Sequence, residues 1–72
     1  MHEQIEIKTE YITLGQFLKL ANILDSGGMI KQFLQEQGVL VNGEKEQRRG
    51  RKLYPNDVVE INNGESFVVI SE

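Results

Sequence analysis

The chain contains no cysteine and no tryptophan, a single proline and a single histidine. Without cysteine there is neither a disulfide framework nor a thiolate metal site, which fits a reducing, intracellular setting. The one imidazole is His2, at a terminus expected to fray, so general acid–base chemistry by histidine has no credible position. Ser26 and Ser66 accordingly lack a histidine base for a nucleophilic triad. The carboxylates are dispersed as Glu3, Glu6 and Glu10, then Glu44 and Glu46, then Asp57 and Glu60. A pair such as Glu44 and Glu46 on a hairpin reads as solvated surface, not as a two-carboxylate site. No segment approaches the roughly 18 apolar residues of a membrane span. The start, MHEQIEIK, has no basic region followed by an apolar one, so no secretory signal is expected. A chain of 72 residues buries only about 60% of its unfolded surface, which leaves no room for a deep substrate cavity beside its own core. The expectation is one cytoplasmic domain over residues 1–72, not an enzyme, with no metal, no cofactor, no small-molecule substrate and no membrane contact, acting as a monomer.

Positive charge is scarce, yet it is concentrated. Eight Lys and Arg stand against eleven Asp and Glu, for a net charge of −3. Five of the eight (Lys45, Arg48, Arg49, Arg51 and Lys52) fall within EKEQRRGRKL, residues 44–53. Residues 39–52 carry +3 and residues 53–72 carry −4, so the chain is polarised. Clustered like charges repel one another, and a basic segment on an acidic chain suits a negative partner. Arginine's planar fork pairs bidentately with phosphate and its flat face stacks on bases. Gly50, inside the run, lets the backbone turn or approach a partner closely. The same run also fits a solvated basic loop, or arginines paired with the chain's own carboxylates. Tyr54, directly after it, is expected at the rim of the core, with base stacking as the alternative.

The remaining pattern divides into short elements. Ile5 and Ile7 alternate with Glu6 and Lys8, the signature of a terminal strand with one buried face, at an edge or closing a sheet. TLGQFLKLANIL predicts a helix opened by a capping box of Thr13 and Gln16, with Ile12 stapled onto Phe17. Its apolar stripe is Leu14, Phe17, Leu18, Ala21 and Leu24, with Lys19 and Asn22 outside. DSGGMIKQFLQEQG predicts a second helix, capped by Ser26 and stopped by Gly38. Met29, Ile30, Phe33 and Leu34 should face inward, and Lys31, Gln32, Gln35 and Glu36 outward. A link of one or two residues would make a tight αα hairpin. VLVNGEKE signals a β-hairpin with an Asn42-Gly43 turn and Val39 and Val41 inward. Pro55-Asn56-Asp57 is a second turn, DVVEI a strand with Val59 and Ile61 inward, and Asn62-Asn63-Gly64 a turn into the closing strand SFVVI. The fold class is α+β: a two-helix hairpin packed on a small, mostly antiparallel sheet.

SGGMIK adds a second candidate for anion contact. Two glycines just inside a helix start leave backbone N–H groups uncovered where the helix dipole is positive, and Lys31 lies one turn on. The plain alternative is that Ser26 is an ordinary cap and the glycines permit a close helix approach; the full phosphate-loop pattern is absent.

Taken together, Ser26 opening a helix, Gly38, then Val39, Val41, Asn42 and Gly43, and later Asp57, Val59 and Ile61 resemble the RNA-binding domain named after small-subunit ribosomal protein four, the alpha-L RNA-binding motif. The resemblance covers about residues 12–61, with flanking terminal strands, and the wording GGMIK, VLVNGE and RRGRKL looks closest to the small stand-alone bacterial YaaA/YbcJ-like members. It implies an L-shaped surface of αα unit and hairpin that docks on structured RNA, often ribosomal. The implied RNA-binding positions are Ser26, Gly27, Gly28 and Lys31 at the second helix, and Lys45, Arg48, Arg49, Arg51 and Lys52 on the hairpin arm, with Lys19 a lesser candidate. Two residues depart from the pattern: Gly27 stands where many members have Arg, and Asn56 where most have Gly. Larger relatives attach the domain to pseudouridine synthase or synthetase bodies; no such body is present here. The expected function is a non-catalytic module on RNA phosphates, read by shape more than by base. If four to six phosphates are neutralised, log affinity falls with log salt at a slope of roughly −3 to −5. An adaptor pressing the same arm on an acidic protein surface is the alternative. A ubiquitin-like carrier would need a C-terminal Gly-Gly or a modified Ser, and the chain ends VVISE.

Overall fold

The computed structural model describes residues 2–72. Along the chain it forms β1 (Glu3–Ile7), β2 (Ile12–Thr13), α1 (Leu14–Leu20), α2 (Gly27–Glu36), β3 (Val39–Val41), β4 (Glu44–Glu46), β5 (Lys52–Leu53), β6 (Val58–Glu60) and β7 (Ser66–Ser71). The five-stranded sheet has the order β1-β7-β6-β3-β4, and β2 with β5 makes a separate two-stranded ribbon. All pairs are antiparallel except β1 with β7, which run parallel in the register Ile5 opposite Val69. The fold is therefore α+β, two helices on a mostly antiparallel sheet, with the first strand at one edge.

Thr13 caps α1 as the capping box requires. Its hydroxyl accepts from the Gln16 N–H, while its own N–H donates to the Gln16 side chain at 3.1 Å. Leu14, Phe17 and Leu18 are fully buried. The helix ends earlier than its apolar pattern suggests. Asn22 adopts φ 59°, its N–H donates to the Lys19 carbonyl, and the Ile23 N–H donates to the Leu18 carbonyl. These two bonds form a Schellman closure with asparagine in the left-handed position that glycine usually takes. The chain then needs residues 21–26 to reach α2, so the connection is longer than the one or two residues expected. Ala21 and Leu24 still pack against the core from this link.

In α2, Ile30 and Leu34 are buried and Phe33 is half-buried, but Met29 is 51% exposed. Met29 lies about 100° round the helix from Ile30, off the narrow line that meets the sheet. Gly38 ends the helix with φ 74°. A Cβ there would sit 2.9 Å from the Glu46 carbonyl oxygen, so the position excludes side chains on both conformational and steric grounds.

Asn42 and Gly43 have φ 53° and 87°, as their two-residue turn demands. Asn42 does more than turn. Its side-chain carbonyl accepts from the Val58 N–H at 2.9 Å, and its amide donates to Asp57 at 3.0 Å. Asp57 in turn accepts from the Tyr54 N–H at 2.8 Å. One asparagine and one aspartate thus join the hairpin turn, the Pro55-Asn56 turn and the start of β6. Two serines differ in setting. Ser26 is a helix cap, while Ser66 lies in hydrogen-bonding contact with the His2 ring across the first and last strands. The parallel β1–β7 pairing thus brings residues 64 positions apart together, a contact that the order of residues did not signal.

Gly38→Ala is expected to cost about 2 kcal/mol or more, from left-handed backbone strain plus the clash with Glu46. Urea unfolding should show a lower midpoint with an unchanged m-value.

Candidate nucleic-acid interface

The basic loop between β4 and β5 is organised by Glu46. The two-residue turn sets Val39 opposite Glu46 and Leu40 opposite Lys45. Directly opposed residues share a face, so Glu46 points to the buried side with Val39 and Lys45 points to the other. Glu46 is only 7% exposed, which corrects its reading as solvated surface. Its carboxylate accepts from the Gln47 and Arg48 backbone N–H groups at 3.0 and 3.1 Å. It also takes a bidentate pair from Arg48 (Nε and Nη2, both 3.1 Å) and a bond from Arg51 Nη1 at 2.9 Å. The Arg48 guanidinium is the largest influence on this carboxyl. With Arg51 and the two backbone donors it overcomes burial and holds the pKa at about 2, down from 4.5. Glu46 in turn raises the pKa of Arg48.

The loop is also tied to α1. The Leu14 N–H donates to the Arg51 carbonyl at 2.8 Å and the Gly15 N–H to the Arg49 carbonyl at 3.0 Å. The first N–H groups of α1 are thereby consumed inside the protein. Those of α2 are not. Ser26 takes the Met29 N–H on its hydroxyl and the Ile30 N–H on its carbonyl. The Gly27 and Gly28 N–H groups find no acceptor among the described residues. A Cβ at either glycine would meet nothing within 4 Å, so the close helix approach that could have explained them does not occur.

Of the nine sequence-derived positions, Gly27, Arg48, Arg49, Arg51 and Lys52 line two adjoining grooves, while Ser26, Gly28, Lys31 and Lys45 line neither. One open groove is lined by Gly27 of α2, Lys19 of α1, and Arg49 and Gly50 of the loop. A second is lined by Arg48, Gly50, Arg51 and Lys52 together with Tyr54 and Asp57. The two meet at Gly50. Arg49, Lys19, Lys31 and Lys52 have no ion-pair partner among the described residues. Lys31 is exposed one turn beyond Gly27, and Ser26 is occupied as the cap. Arg48 keeps 77% of its side-chain surface exposed despite its pairing, and Arg51 31%. Lys45 is not brought to either groove. It lines a separate groove with Leu40 and Glu60.

Sequence reasoning missed two residues here, Glu46 and Tyr11. The inward set of Glu46 was readable from the hairpin register. Tyr11 carried no local signal: it reaches Tyr54 only because β2 pairs with β5, which leaves the ring centroids 5.7 Å apart.

The comparisons with known proteins agree with this architecture. The family model described as S4 domain matches residues 5–70. The chain belongs to the S4 domain family. A curated relative, the probable ribosome maturation protein RlbA of Bacillus subtilis (strain 168), is 61% identical over 71 residues, covering 99% of this chain and 100% of the relative. No solved structure matches the chain. Among the described residues, no helix of this S4 chain is long and apolar enough to cross a membrane.

The lowered pKa of Glu46 sets a pH dependence. Its folded value lies below 4.5, so its contribution to stability is fully present above that pH and is lost as pH falls toward about 2. Glu46→Gln should destabilise the protein at neutral pH by about 1–3 kcal/mol. Denaturant melts at stepped pH should show the gap between wild type and variant closing from pH 4.5 downward.

Proposed function

We propose that this S4 domain, acting over its whole length as one unit, is a non-catalytic RNA-binding module for structured RNA, with ribosomal RNA the leading candidate. The observation that carries the reading is the groove shared by the uncovered start of α2 at Gly27 and the loop residues Arg49 and Gly50. Free backbone N–H groups at a helix N-terminus, an unpaired guanidinium and Lys19 all offer donors to the same anion. A phosphodiester backbone supplies such anions in series, and the second groove continues the track past Gly50 to Arg48, Arg51 and Lys52. The family membership and the name of the Bacillus relative support a role connected with ribosome maturation; in this reading the domain acts as a cytoplasmic monomer.

The pairing of Arg48 and Arg51 with Glu46 changes how the proposal is tested. Replacing Arg48, Arg49 and Arg51 together would strand a buried carboxylate and destabilise the fold, so the triple substitution is not a clean probe. Arg49→Ala and Lys31→Ala remove cations without a partner. Each is expected to weaken binding to a folded ribosomal RNA fragment and to reduce the salt slope by about 1. Unchanged affinity and slope in the double variant would sink the proposal. Gly27→Ala offers a second arm. It should leave stability equal or up to about 1 kcal/mol higher, since helix propensity favours alanine, while weakening RNA binding by crowding the helix start. Ribonuclease treatment of a captured complex separates RNA from an acidic protein partner: an RNA target is released, a protein is not.

A further inference from the structure

Tyr11 and Tyr54 are the only tyrosines of the chain, and the hydrophobic core is complete without them. The β2–β5 register sets Ile12 opposite Leu53, and one step outward the two tyrosines stand opposite each other. Their ring planes are tilted by 46°. Both remain substantially exposed, Tyr11 at 38% and Tyr54 at 43%. Lys52 Nζ lies 4.9 Å over the Tyr11 ring. Tyr54 lines the groove that holds Arg48, Arg51 and Lys52. Tyr11 lines a separate apolar groove along α1 with Lys19 and Leu20. The aromatic pair is therefore a ridge between the cationic groove beside Tyr54 and a mostly apolar groove whose charged edge is Lys19 and Glu10. The one carboxylate in the groove beside Tyr54, that of Asp57, is engaged by the Asn42 amide and the Tyr54 N–H.

An occupant of this ridge must present a flat apolar face and, within a few ångströms, negative charge. An apolar protein patch would desolvate Lys52 and Lys19 without pairing them, which is costly. An unpaired nucleotide meets both demands, since every base has a π-face and carries its phosphate with it. A continuous duplex does not, because its bases are stacked away inside the helix. Resting on the RNA-binding reading above, we propose that Tyr54, backed by Tyr11, is a stacking platform for one unpaired base of the RNA whose phosphates dock on the arginine loop. The preferred target is then a junction of helix with a bulged, looped or terminal unpaired nucleotide.

The absence of tryptophan makes the test direct, because intrinsic emission comes from these two rings alone. The probes are a short single-stranded oligouridylate and a blunt-ended RNA duplex. Oligouridylate is expected to quench the tyrosine emission on binding, and the duplex to leave it largely unchanged. Tyr54→Ala should weaken oligouridylate binding about 5- to 150-fold with an unchanged salt slope, since no phosphate contact is removed. Tyr54→Phe should retain most of the affinity, and Tyr11→Ala, a second variant should the first unfold, should weaken binding in the same direction. Oligouridylate bound without quenching, or bound as tightly by Tyr54→Ala as by wild type, overturns the stacking platform. If duplex binding and its salt slope persist in that case, the phosphate-docking reading stands without it; loss of binding to both RNAs in the wild-type protein takes both down.

Discussion

The carboxylate of Glu46 accepts five hydrogen bonds, two from backbone N–H groups and three from Arg48 and Arg51. The loop carrying every arginine of the chain is wound around that one group. Without it, adjacent guanidinium groups would repel one another and splay into solvent. With it, Arg48 is held by two parallel bonds and Arg51 is drawn inward to half-burial. The cost is that part of the loop's positive charge is neutralised internally. What remains unpaired, Arg49 and Lys52, lies on either side of Gly50 where the two grooves meet. A buried carboxylate is tolerated because its lone pairs are saturated by donors, three of them charged.

The two helix starts are used in opposite ways. At α1 the capping box and the loop carbonyls of Arg49 and Arg51 satisfy the N–H groups internally, and this locks the loop to the helix. At α2 the cap serine satisfies only the third and fourth N–H groups and leaves those of Gly27 and Gly28 open. One helix end thus anchors the basic loop while the other remains available beside it. Cations on the outer face of the sheet, such as Lys45 next to Glu60, belong to a different surface.

The residues that make the family recognisable are mostly not the ones that would touch a ligand. Asn42 and Asp57 bond to each other and to the backbone at Val58 and Tyr54. They fix where the arm between them begins and ends. Val39, Val41, Val59 and Ile61 are core. The asparagine at position 56, in place of glycine, adopts φ 82° and keeps the turn, consistent with the tolerance of asparagine for that region.

Several features are carried by the sequence itself, because they depend on neighbours a few residues apart. The capping box of Thr13 and Gln16, the Asn42-Gly43 turn, the alternation of Val39 and Val41 and the stop at Gly38 are all of this kind. The inward direction of Glu46 follows from the same turn register. Other features involve competing local choices or partners distant in the chain, and only the folded molecule decides them. The early end of α1 at Asn22 is settled by local closure competing with an apolar stripe that continues into the link. The exposure of Met29 depends on how narrow a line of α2 meets the sheet. The union of Gly27 with Arg49 and the facing of Tyr11 by Tyr54 arise from strand pairing across about 40 residues or from helix packing. Local chemistry is legible because short-range backbone geometry constrains it; the joint placement of charges and rings is not, because it follows from which surfaces the core leaves uncovered.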